Sequence, residues 1–356
     1  MPAAVYLNAI GTAVPGHDIH KAFIGWAAAQ LPDVRKRRLF DRMAGRAAIN
    51  HRWSVLPKGD EGGSPVDAGG FYAQAIPPGT SARMAIYAAK APELGLAAIE
   101  QLATQLPIND ITHLVVASCT GFVAPGIDQI IARRLGLPPS IERLLIGFMG
   151  CYAAVAALRT ARHIVRSEPE ARVLVLCIEL STLHLQATAE IEPLLAMLQF
   201  GDGAAAGLVT ATPGGFELGT PFATTLPDSH DLIRWDITDQ GFAMHLSGEV
   251  PARIAAGLVD PDFAHAATGG RAPSEIDGWA VHAGGRSILD AVEHALLIPP
   301  AALLASRKVL ADYGNMSSAT LMFALANLLS GPAVSDGVAL AFGPGLAAEG
   351  FGFRSA

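Results

Sequence analysis

The chain has 356 residues, of which 51% are hydrophobic and 16% charged, and its formal net charge is −7. This composition provides enough apolar side chains to bury a large core, and it excludes an intrinsically disordered chain. The negative charge gives no indication of a nucleic-acid-binding surface. Three cysteines without paired spacing, Cys119, Cys151 and Cys177, argue against a disulfide framework or a cysteine-rich zinc site.

The sequence also gives no indication of export or membrane insertion. Its first residues, Met1-Pro-Ala-Ala-Val, lack a basic segment and a long apolar run, and no stretch approaches about 18 uninterrupted apolar residues. We therefore expect a compact cytoplasmic protein.

Short β-branched runs alternate with alanine-rich stretches along the chain. In chain order, strands are predicted over residues 3–10, 112–118, 143–148, 172–179, 204–210, 278–282 and 337–342. Helices are predicted over residues 82–105, 126–135, 152–167, 286–295 and 317–329. Because continuous apolar strands separated by helices are typical of parallel sheets, we predict an α/β fold with a mostly parallel sheet that is covered on both faces.

The first chemically suggestive segment is a basic stretch between residues 35 and 53. Arg38, Arg42 and Arg46 follow one another at i, i+4 spacing, which predicts three positive charges on one face of a helix. A solvated helix face is the ordinary explanation of such a pattern.

Cys151 lies where a predicted strand gives way to a predicted helix, directly after Gly150. The unpaired N–H groups and the positive dipole end at the start of a helix favour a thiolate. The position therefore indicates a candidate nucleophile. A buried structural cysteine is the alternative, and it is the commoner role of a lone thiol.

Two polar residues follow strand or helix ends further along the chain. His282 ends a short apolar strand and is followed by Gly284 and Gly285, so its imidazole is expected at the edge of the sheet. Asn315 follows Gly314 and precedes a predicted helix start. Taken singly, the histidine suits a hydrogen-bonded core position and the asparagine a turn or helix cap.

Five segments together resemble the chalcone synthase-like type III polyketide synthases of the thiolase superfamily. They are Gly150-Cys151-Tyr-Ala, Gln199-Phe200-Gly-Asp-Gly-Ala-Ala-Ala, His282-Ala-Gly-Gly, Tyr313-Gly-Asn315-Met-Ser-Ser-Ala and Phe342-Gly-Pro-Gly345. The similarity extends from about Ala9 to the C-terminus. The segment 235–251 resembles the bacterial branch of the family rather than the plant branch.

The resemblance implies a thiolase-type fold, in which two similar α/β halves pack as a five-layered αβαβα core. Residues 1–213 are then the N-terminal half that carries the cysteine, and residues 214–356 are the C-terminal half that carries the histidine and the asparagine. It also implies a homodimer, and Ala124 matches a loop position that reaches into the partner subunit's cavity in relatives.

The implied activity is an acyltransferase reaction on CoA thioesters. Cys151 takes up a starter acyl group from an acyl-CoA, and malonyl-CoA then loses CO2 to give an enolate that extends the chain. Asn315 and His282 donate hydrogen bonds to the enolate oxygen, and His282 also holds the thiolate as an ion pair. Repeated condensation and cyclisation give an alkylpyrone, an alkylresorcinol or a related phenolic product.

Further site residues are carried over from the family. Arg42 and Arg46, and with them Arg38, are expected to contact the CoA phosphates, while Gly284 and Gly285 allow close approach of the pantetheine arm. The residues expected to form the gate and the cavity beyond it are Phe200, Met244, Trp235, His184, Cys119 and Ser317. A tryptophan at position 235 argues against a chalcone-shaped cavity.

Three alternatives remain open at this point. A β-ketoacyl-acyl-carrier-protein synthase III-like enzyme condenses once and uses a carrier protein. A Cys-His-Asn thioester hydrolase releases free acid through water. A catalytically silent scaffold or partner subunit has the fold without the activity. No metal or bound cofactor is implied, because CoA esters are the substrates and the sequence shows no cluster of metal ligands.

Overall fold

The computed structural model describes residues 3–59 and 63–356. The strands are β1 (Tyr6–Ala13), β2 (His17–Asp18), β3 (Trp53–Ser54), β4 (His113–Ser118), β5 (Glu142–Gly147), β6 (Val173–Leu180), β7 (Asp202–Thr210), β8 (Phe216–Thr225), β9 (Ile233–Thr238), β10 (Gly241–Leu246), β11 (Gly278–Val281), β12 (Gly337–Gly343) and β13 (Ala347–Ser355). The helices are α1 (His20–Gln30), α2 (Val34–Ala44), α3 (Thr80–Ala103), α4 (Ile127–Arg134), α5 (Ala153–Ser167), α6 (Ile191–Met197), α7 (Val250–Val259), α8 (Pro261–Thr268), α9 (Arg286–Leu296), α10 (Leu304–Tyr313) and α11 (Ser318–Leu329).

Every strand and helix that the sequence predicted is present, and the largest displacement is at β1, predicted over 3–10 and found at Tyr6–Ala13. Strands β2, β3, β8 to β10 and β13, and helices α1, α6 to α8 and α10, were not predicted. In β13 the glycines at positions 350 and 352 interrupt the apolar run, so its period was hidden. No described helix is long and apolar enough to cross a membrane.

Within the described residues, nine strands form one sheet in the order β11-β12-β13-β8-β1-β7-β6-β4-β5. Only β11/β12, β4/β5 and β4/β6 are parallel neighbours. The other described pairs are antiparallel, so the prediction of a mostly parallel sheet was wrong. Strands β4, β6, β7, β11 and β12 are buried on both faces like parallel strands, and this burial rather than strand direction produced their continuous apolar runs.

The sheet consists of two parts that meet at a narrow seam. Strands β1 and β8 pair only at Tyr6↔Glu217 and Leu7↔Phe216. One side of the seam holds β1 and β4 to β7, and the other holds β8 and β11 to β13. Helices α5 and α11 pack against each other and against strands of both parts. The chain therefore has two α/β halves that share a central layer of helices.

Alternation along the strands shows how the layers pack. In β12, Ala339 and Ala341 belong to the hydrophobic cluster around α5 and α11, whereas Val338, Leu340 and Phe342 belong to the cluster on the outer face. This period of two places small side chains toward the central helices, which can then approach the sheet closely. A third cluster lies between α3, α4 and the other part of the sheet. The predicted five-layered thiolase-type core is confirmed.

Candidate active site

Cys151 is held at the entrance of the central helix layer by a tight turn. The residues Gly150–Tyr152 form a single 3-10 turn that leads directly into α5. Gly150 has a φ of 75°, and a Cβ there would lie 2.4 Å from Cδ of Pro344. Because only glycine fits both requirements, it fixes the direction in which the buried thiol enters the site.

The backbone of Asn315 is fixed by the segment next to it. Gly314 ends α10 with a φ of 69°. The Asn315 N–H donates to the carbonyl of Gln199 over 2.8 Å, and the Gly201 N–H donates to the carbonyl of Asn315 over 3.0 Å. These two bonds form a short parallel bridge in which Phe200 is opposite Asn315. The predicted gate residue and the predicted catalytic amide are therefore parts of one rigid unit.

The side chain of Asn315 has a defined orientation. Its Oδ1 accepts hydrogen bonds from the Ser317 N–H at 2.8 Å and from the Thr320 hydroxyl at 3.4 Å. Its Nδ2 donates to the carbonyl of Gly284 at 3.3 Å. Because the oxygen is occupied on the helix side, the NH2 group is the part that faces the Cys151 thiol, and a hydrogen bond from it favours the thiolate. The amide is thus preorganised as a donor.

His282 follows β11, where its N–H donates to the carbonyl of Leu340 over 2.8 Å. The Gly284 N–H donates a hydrogen bond to the carbonyl of His282 over 2.9 Å, which closes a tight turn. The imidazole is 1% exposed, and neither ring nitrogen has a hydrogen-bond partner among the described residues. Buried polar atoms without partners are costly, and they mark a place where a substrate group is expected to bind. A Cβ on Gly284 would lie 3.4 Å from Nε2 of His282.

Burial favours the neutral forms of both titratable groups. It raises the pKa of Cys151 to about 11, although hydrogen bonds from Ser317 and Asn315 act in the opposite direction. It lowers the pKa of His282 to about 3. The sequence predicted a thiolate, because a helix N-terminus stabilises negative charge. In the structure, burial instead favours a neutral thiol and a neutral imidazole, since desolvation outweighs the helix dipole here.

Alkylation of Cys151 by iodoacetamide is expected to be slow at pH 7 and to accelerate about tenfold per pH unit up to pH 10. The reason is that the reactive thiolate is a minor species well below a pKa of about 11. Mass spectrometry of the labelled peptide measures the rate, and Cys151→Ser identifies the labelled position. A rate that is already maximal at pH 7 would show that a thiolate–imidazolium pair forms in solution.

A buried polar network lies beside the thiol. The Sγ atom of Cys119 lies 3.2 Å from the Ser317 hydroxyl and 3.4 Å from both carboxyl oxygens of Glu179. Glu179 also accepts hydrogen bonds from the Cys119 N–H at 3.0 Å, the Thr120 hydroxyl at 2.9 Å and the Ser318 hydroxyl. Burial raises the pKa of Glu179. The sequence analysis did not single out this glutamate, because one acidic residue in an apolar strand has no local pattern.

Ser317 joins this network in an unusual backbone conformation. It has a φ of 46° and a ψ of −125°, which a non-glycine residue seldom adopts. Such strain is maintained where the surrounding structure requires a particular side-chain position. In this position the Ser317 hydroxyl reaches both Cys119 and Cys151.

The space next to Cys151 is small. A cavity of about 10 Å³ is bordered by Cys119, Cys151, Phe200, Trp235, Met244 and Ser317 together with four other residues. This volume is room for about one water molecule. A second cavity, of about 150 Å³, lies beyond Phe200, Trp235 and Met244, which border both spaces. The structure therefore brings all six predicted gate and cavity residues to these two adjoining spaces, with His184 in the wall of the second.

Aromatic rings hold the wall of the second cavity in place. The Nε2 atom of His184 donates to the carbonyl of Thr120 at 2.6 Å, and its Nδ1 accepts from the Phe242 N–H at 3.0 Å. The imidazole stacks on the Phe242 ring at 4.1 Å. The Trp235 indole donates to the carbonyl of Cys119 at 2.8 Å and meets His184 edge-on at 5.4 Å. With both polar ends bonded, this wall cannot move aside without breaking hydrogen bonds.

A third, larger cavity of about 710 Å³ opens outside the site. Arg46, Gly284 and Gly285 line it, but Arg38 and Arg42 are exposed on α2 and are not part of its wall. Arg46 does not continue the helical face either, because α2 ends at Ala44. The sequence was wrong to place all three arginines on one helix, since Gly45 ends it one residue before Arg46.

Two arginines near the site were missed. Arg286 begins α9 in the wall of the outer cavity and donates to the carbonyl of Arg46 over 3.2 Å. Arg52 is fully buried and donates to the carbonyls of Met197 at 2.9 Å and Phe200 at 2.8 Å. Arg52 lies in the same basic stretch as the predicted phosphate ligands, and a buried arginine cannot be distinguished there from a surface one by sequence. Within the described residues no cluster of His, Cys, Asp or Glu could hold a metal ion.

Comparison with known proteins reveals relatives over the whole fold. The chain matches a family model described as Chalcone and stilbene synthases, N-terminal domain, over residues 3–213, and the corresponding C-terminal domain over residues 217–356. The Alpha-pyrone synthesis polyketide synthase-like Pks18 of Mycobacterium tuberculosis and that of Mycobacterium bovis are each 37% identical over 255 residues. That alignment covers 68% of this chain, and it spans only 65% of the length of these relatives.

Two solved structures share the fold. The C-terminal type III polyketide synthase domain of Steely1, a type I/III hybrid from Dictyostelium, superposes with a TM-score of 0.88 at 26% identity and covers 99% of both chains. PKS-I from the brown alga Ectocarpus siliculosus has a TM-score of 0.88 at 26% identity, covering 100% of this chain and 99% of its own. Together with the two family models, which match nearly all of the chain, these similarities show that it belongs to the chalcone and stilbene synthase family.

Proposed function

We propose that the protein is a type III polyketide synthase that loads an acyl group on Cys151 and extends it with malonyl-CoA. The observation that supports this most strongly is the orientation of the Asn315 amide, whose Nδ2 faces the thiol while its Oδ1 is occupied by Ser317 and Thr320. A hydrogen-bond donor next to a nucleophile is what an enolate-forming condensation requires.

Loading begins with Cys151 as a neutral thiol and His282 as a neutral imidazole. His282 takes the proton from the Cys151 thiol as the sulfur attacks the thioester carbonyl of the starter, so a free thiolate need not accumulate. The tetrahedral oxyanion collapses, the bond to the CoA sulfur breaks, and the proton on His282 passes to that leaving sulfur. The raised thiol pKa and the lowered imidazole pKa keep both groups neutral in the free enzyme, so the proton moves as the sulfur attacks and not before.

During extension, Asn315 and His282 act as hydrogen-bond donors. The sulfur of Cys151 now carries the acyl group and is not the nucleophile. Loss of CO2 from malonyl-CoA places negative charge on the thioester oxygen, where Nδ2 of Asn315 and one N–H of neutral His282 can both donate. The enolate carbon then attacks the acyl carbonyl, the bond between that carbonyl and Sγ of Cys151 breaks, and the extended chain is released as a CoA ester. The thiolate that leaves takes up one proton from solvent, and transfer of the extended chain back to Cys151 begins the next extension.

The CoA arm is proposed to lie in the outer cavity of about 710 Å³. Gly284 and Gly285 form part of its wall, and a side chain on Gly284 would press against His282. Arg46 and Arg286 are the cationic residues of that wall, so they are the nearest partners for the phosphates. Arg42 and Arg38 are further out on the exposed face of α2.

The two small cavities support a short product. Spaces of about 10 and 150 Å³ leave little room for a long acyl chain beyond the gate. A small starter with few extensions therefore fits better than a fatty acyl starter. An α-pyrone needs only one enol oxygen to attack the thioester carbonyl, and the name of the Pks18 relatives refers to α-pyrone synthesis. We propose a short-chain pyrone as the product.

Incubation of the purified protein with acetyl-CoA and labelled malonyl-CoA tests this function. The expected outcome is a labelled triketide pyrone, identified by mass spectrometry. A product with a single condensation would indicate the β-ketoacyl synthase III-like alternative. Free acid released without malonyl-dependent extension would indicate a thioester hydrolase, and no turnover with a panel of acyl-CoAs would contradict both the synthase and the hydrolase.

Replacing Trp235 by glycine is expected to lengthen the accepted starter and the product. Removal of the indole joins the cavity of about 10 Å³ to that of about 150 Å³, because Trp235 borders both. Hexanoyl-CoA and octanoyl-CoA should then gain about tenfold or more in kcat/KM relative to acetyl-CoA, since each added methylene can be buried. Trp235→Phe keeps most of the bulk and should retain the preference for acetyl-CoA. An unchanged starter profile in Trp235→Gly would show that the wall does not limit length.

We also propose that two copies of the chain pair through the edge strand β5. This strand bonds only to β4 among the described strands, and its Leu144 and Leu145 are 44% and 42% exposed. Nearby Phe122 and Phe148 are 52% and 40% exposed and contact each other. An apolar, unpaired strand edge is a liability unless another chain covers it. The loop that carries Ala124 adjoins this surface, in agreement with its expected place beside a partner subunit.

Replacement of Leu145 by glutamate is expected to convert the dimer to a monomer. A charge at the centre of the paired edges has no partner there and repels its symmetry mate. Sedimentation velocity measures the mass, and Leu297→Glu, at a position 90% exposed elsewhere, is the control. Wild-type protein that sediments as a monomer at micromolar concentration would contradict the proposed dimer.

A further inference from the structure

An unusual concentration of positive charge lies next to the outer cavity. We use the term basic ridge for Arg35, Arg38 and Arg42 on α2 together with Arg46 beyond its end. Residues 35–46 hold six of the 25 lysines and arginines of the chain and one acidic residue, although the net charge of the whole chain is −7. All four ridge residues are exposed, and none forms a salt bridge within the described residues. Like charges at i, i+3 and i, i+4 repel, so the ridge is costly without an anionic partner.

Only the Arg46 end of this ridge borders the outer cavity, in which the CoA arm is proposed to lie. Arg46 lines the outer cavity, where Arg286 is a second cation, while Arg35 lies about 13.5 Å along the helix axis from Ala44, the last residue of α2, at about 1.5 Å per residue. Phosphates bound at the mouth of the outer cavity would therefore contact Arg46 and Arg286, and not the arginines further along α2. The far end needs a larger anionic surface, one that extends along α2.

Apolar side chains next to the ridge indicate a protein partner. Leu39 and Met43, which are 37% and 43% exposed, project between the ridge and the outer cavity, and Val34 at the start of α2 is 56% exposed. A strip of exposed apolar residues with arginines along its side is typical of a protein–protein contact rather than of a nucleotide site. Arg253 is also exposed, and it lies on α7, whose first residues Val250 and Pro251 line the cavity.

We propose that the basic ridge is a docking surface for an acidic acyl carrier protein, which delivers a starter acyl group to Cys151. This proposal rests on the proposed function. An acidic helix of the carrier packs along Arg35, Arg38 and Arg42, and apolar residues of that helix cover Leu39 and Met43. The phosphopantetheine arm of the carrier enters the outer cavity, which the pantetheine arm of CoA also uses.

The transfer step is the same as loading from CoA. The sulfur of Cys151 attacks the acyl carbonyl, the bond between that carbonyl and the phosphopantetheine sulfur breaks, and a new thioester forms on Cys151. The thiol proton passes through His282 to the phosphopantetheine sulfur, so the carrier leaves with a free thiol. No oxidant, reductant or further reactant is needed.

The experiment compares one acyl group on three donors. Acetyl groups on a bacterial fatty-acid carrier protein, on CoA and on bare pantetheine are mixed with the enzyme, and acetylation of Cys151 is followed by quenched-flow mass spectrometry. At low salt, kcat/KM for the carrier is expected to exceed that for acetyl-pantetheine by about tenfold or more, and to fall steeply as salt is added, because charge complementarity accelerates association.

Charge reversal locates the contact. Arg35→Glu is expected to lower loading from the carrier by about tenfold and to change loading from acetyl-CoA by less than about twofold, because Arg35 does not border the outer cavity. Arg134→Glu reverses an exposed arginine in the last turn of α4 and should leave both rates unchanged.

The outcomes separate this proposal from the proposed function. Loading from the carrier that is no faster than from acetyl-pantetheine overturns the docking surface, while loading from acetyl-CoA keeps the synthase function. Equal losses in Arg35→Glu and Arg134→Glu also overturn it, because net charge alone then accounts for the rates. Failure of all three donors to acetylate Cys151 contradicts the proposed function itself.

Discussion

Replacing Cys151 by alanine is expected to abolish polyketide formation while malonyl-CoA is still decarboxylated to acetyl-CoA. The thiol is the only proposed attachment point for the growing chain, so product formation should fall below about one-thousandth of the wild-type rate. Decarboxylation needs donors for the enolate oxygen, and these are Asn315 and His282, which the substitution leaves in place. We expect its rate to remain within about tenfold of wild type.

The measurement is a parallel assay of labelled CO2 release and of pyrone formation. Alanine removes one sulfur atom from a cavity of about 10 Å³, so the surrounding side chains need little adjustment. Cys177→Ala is a matched control, because that thiol is also buried but lies in β6 within the hydrophobic cluster around α5. Retention of pyrone formation in Cys151→Ala would refute the assignment of the nucleophile, and parallel loss of both activities would indicate damage to the whole site.

Substitution of Asn315 is expected to affect the decarboxylation that Cys151→Ala leaves intact. Asn315→Ala removes the preorganised donor, and loss of one such donor costs about 100- to 1000-fold in kcat, or about 2.7 to 4 kcal/mol. Asn315→Asp should be at least as slow, because its carboxylate has no donor for the enolate and adds a negative charge beside it. The loss should appear in CO2 release as well as in pyrone formation.

Two variants of Thr320 test whether orientation of the amide matters. Its hydroxyl donates to Oδ1 of Asn315 at 3.4 Å and accepts from the Met316 N–H at 2.7 Å. Thr320→Ser keeps both bonds and should behave as wild type. Thr320→Val loses them and should reduce kcat by about tenfold, a smaller loss than removal of the amide itself. Normal decarboxylation by Asn315→Ala would exclude the amide as an enolate donor.

Much of the site was predictable because its residues occupy ends of secondary structure. Cys151, His282 and Asn315 each follow a strand or helix and lie within two residues of a glycine that permits a sharp turn, and such turns are visible in a sequence. Two of these turns lead into α5 and α11, which share the central layer. The meeting of the cysteine and the asparagine thus follows from the packing of those two helices.

The remaining features depend on contacts between distant segments. The strand directions could not be predicted, because β8 and β13 pair through residues more than a hundred positions apart. The raised pKa of Cys151 follows from burial, which the local sequence around a helix N-terminus does not reveal. Arg286 adjoins Arg46 only after folding, since 240 positions separate them in the chain.

The bridge between Phe200 and Asn315 limits how such an enzyme can diversify. Two backbone hydrogen bonds join Gln199 and Gly201 to Asn315, and Arg52 donates to the carbonyl of Phe200. These bonds hold the Phe200 gate and the Asn315 amide in a fixed position relative to each other. A change that widens the gate at Phe200 therefore also disturbs the catalytic amide. Trp235 and His184 are instead bonded to the carbonyls of Cys119 and Thr120, and neither is bonded to Asn315 or Phe200. Substitutions of Trp235 and His184 can accordingly change the shape of the cavity, and with it the product, while the amide of Asn315 keeps its position.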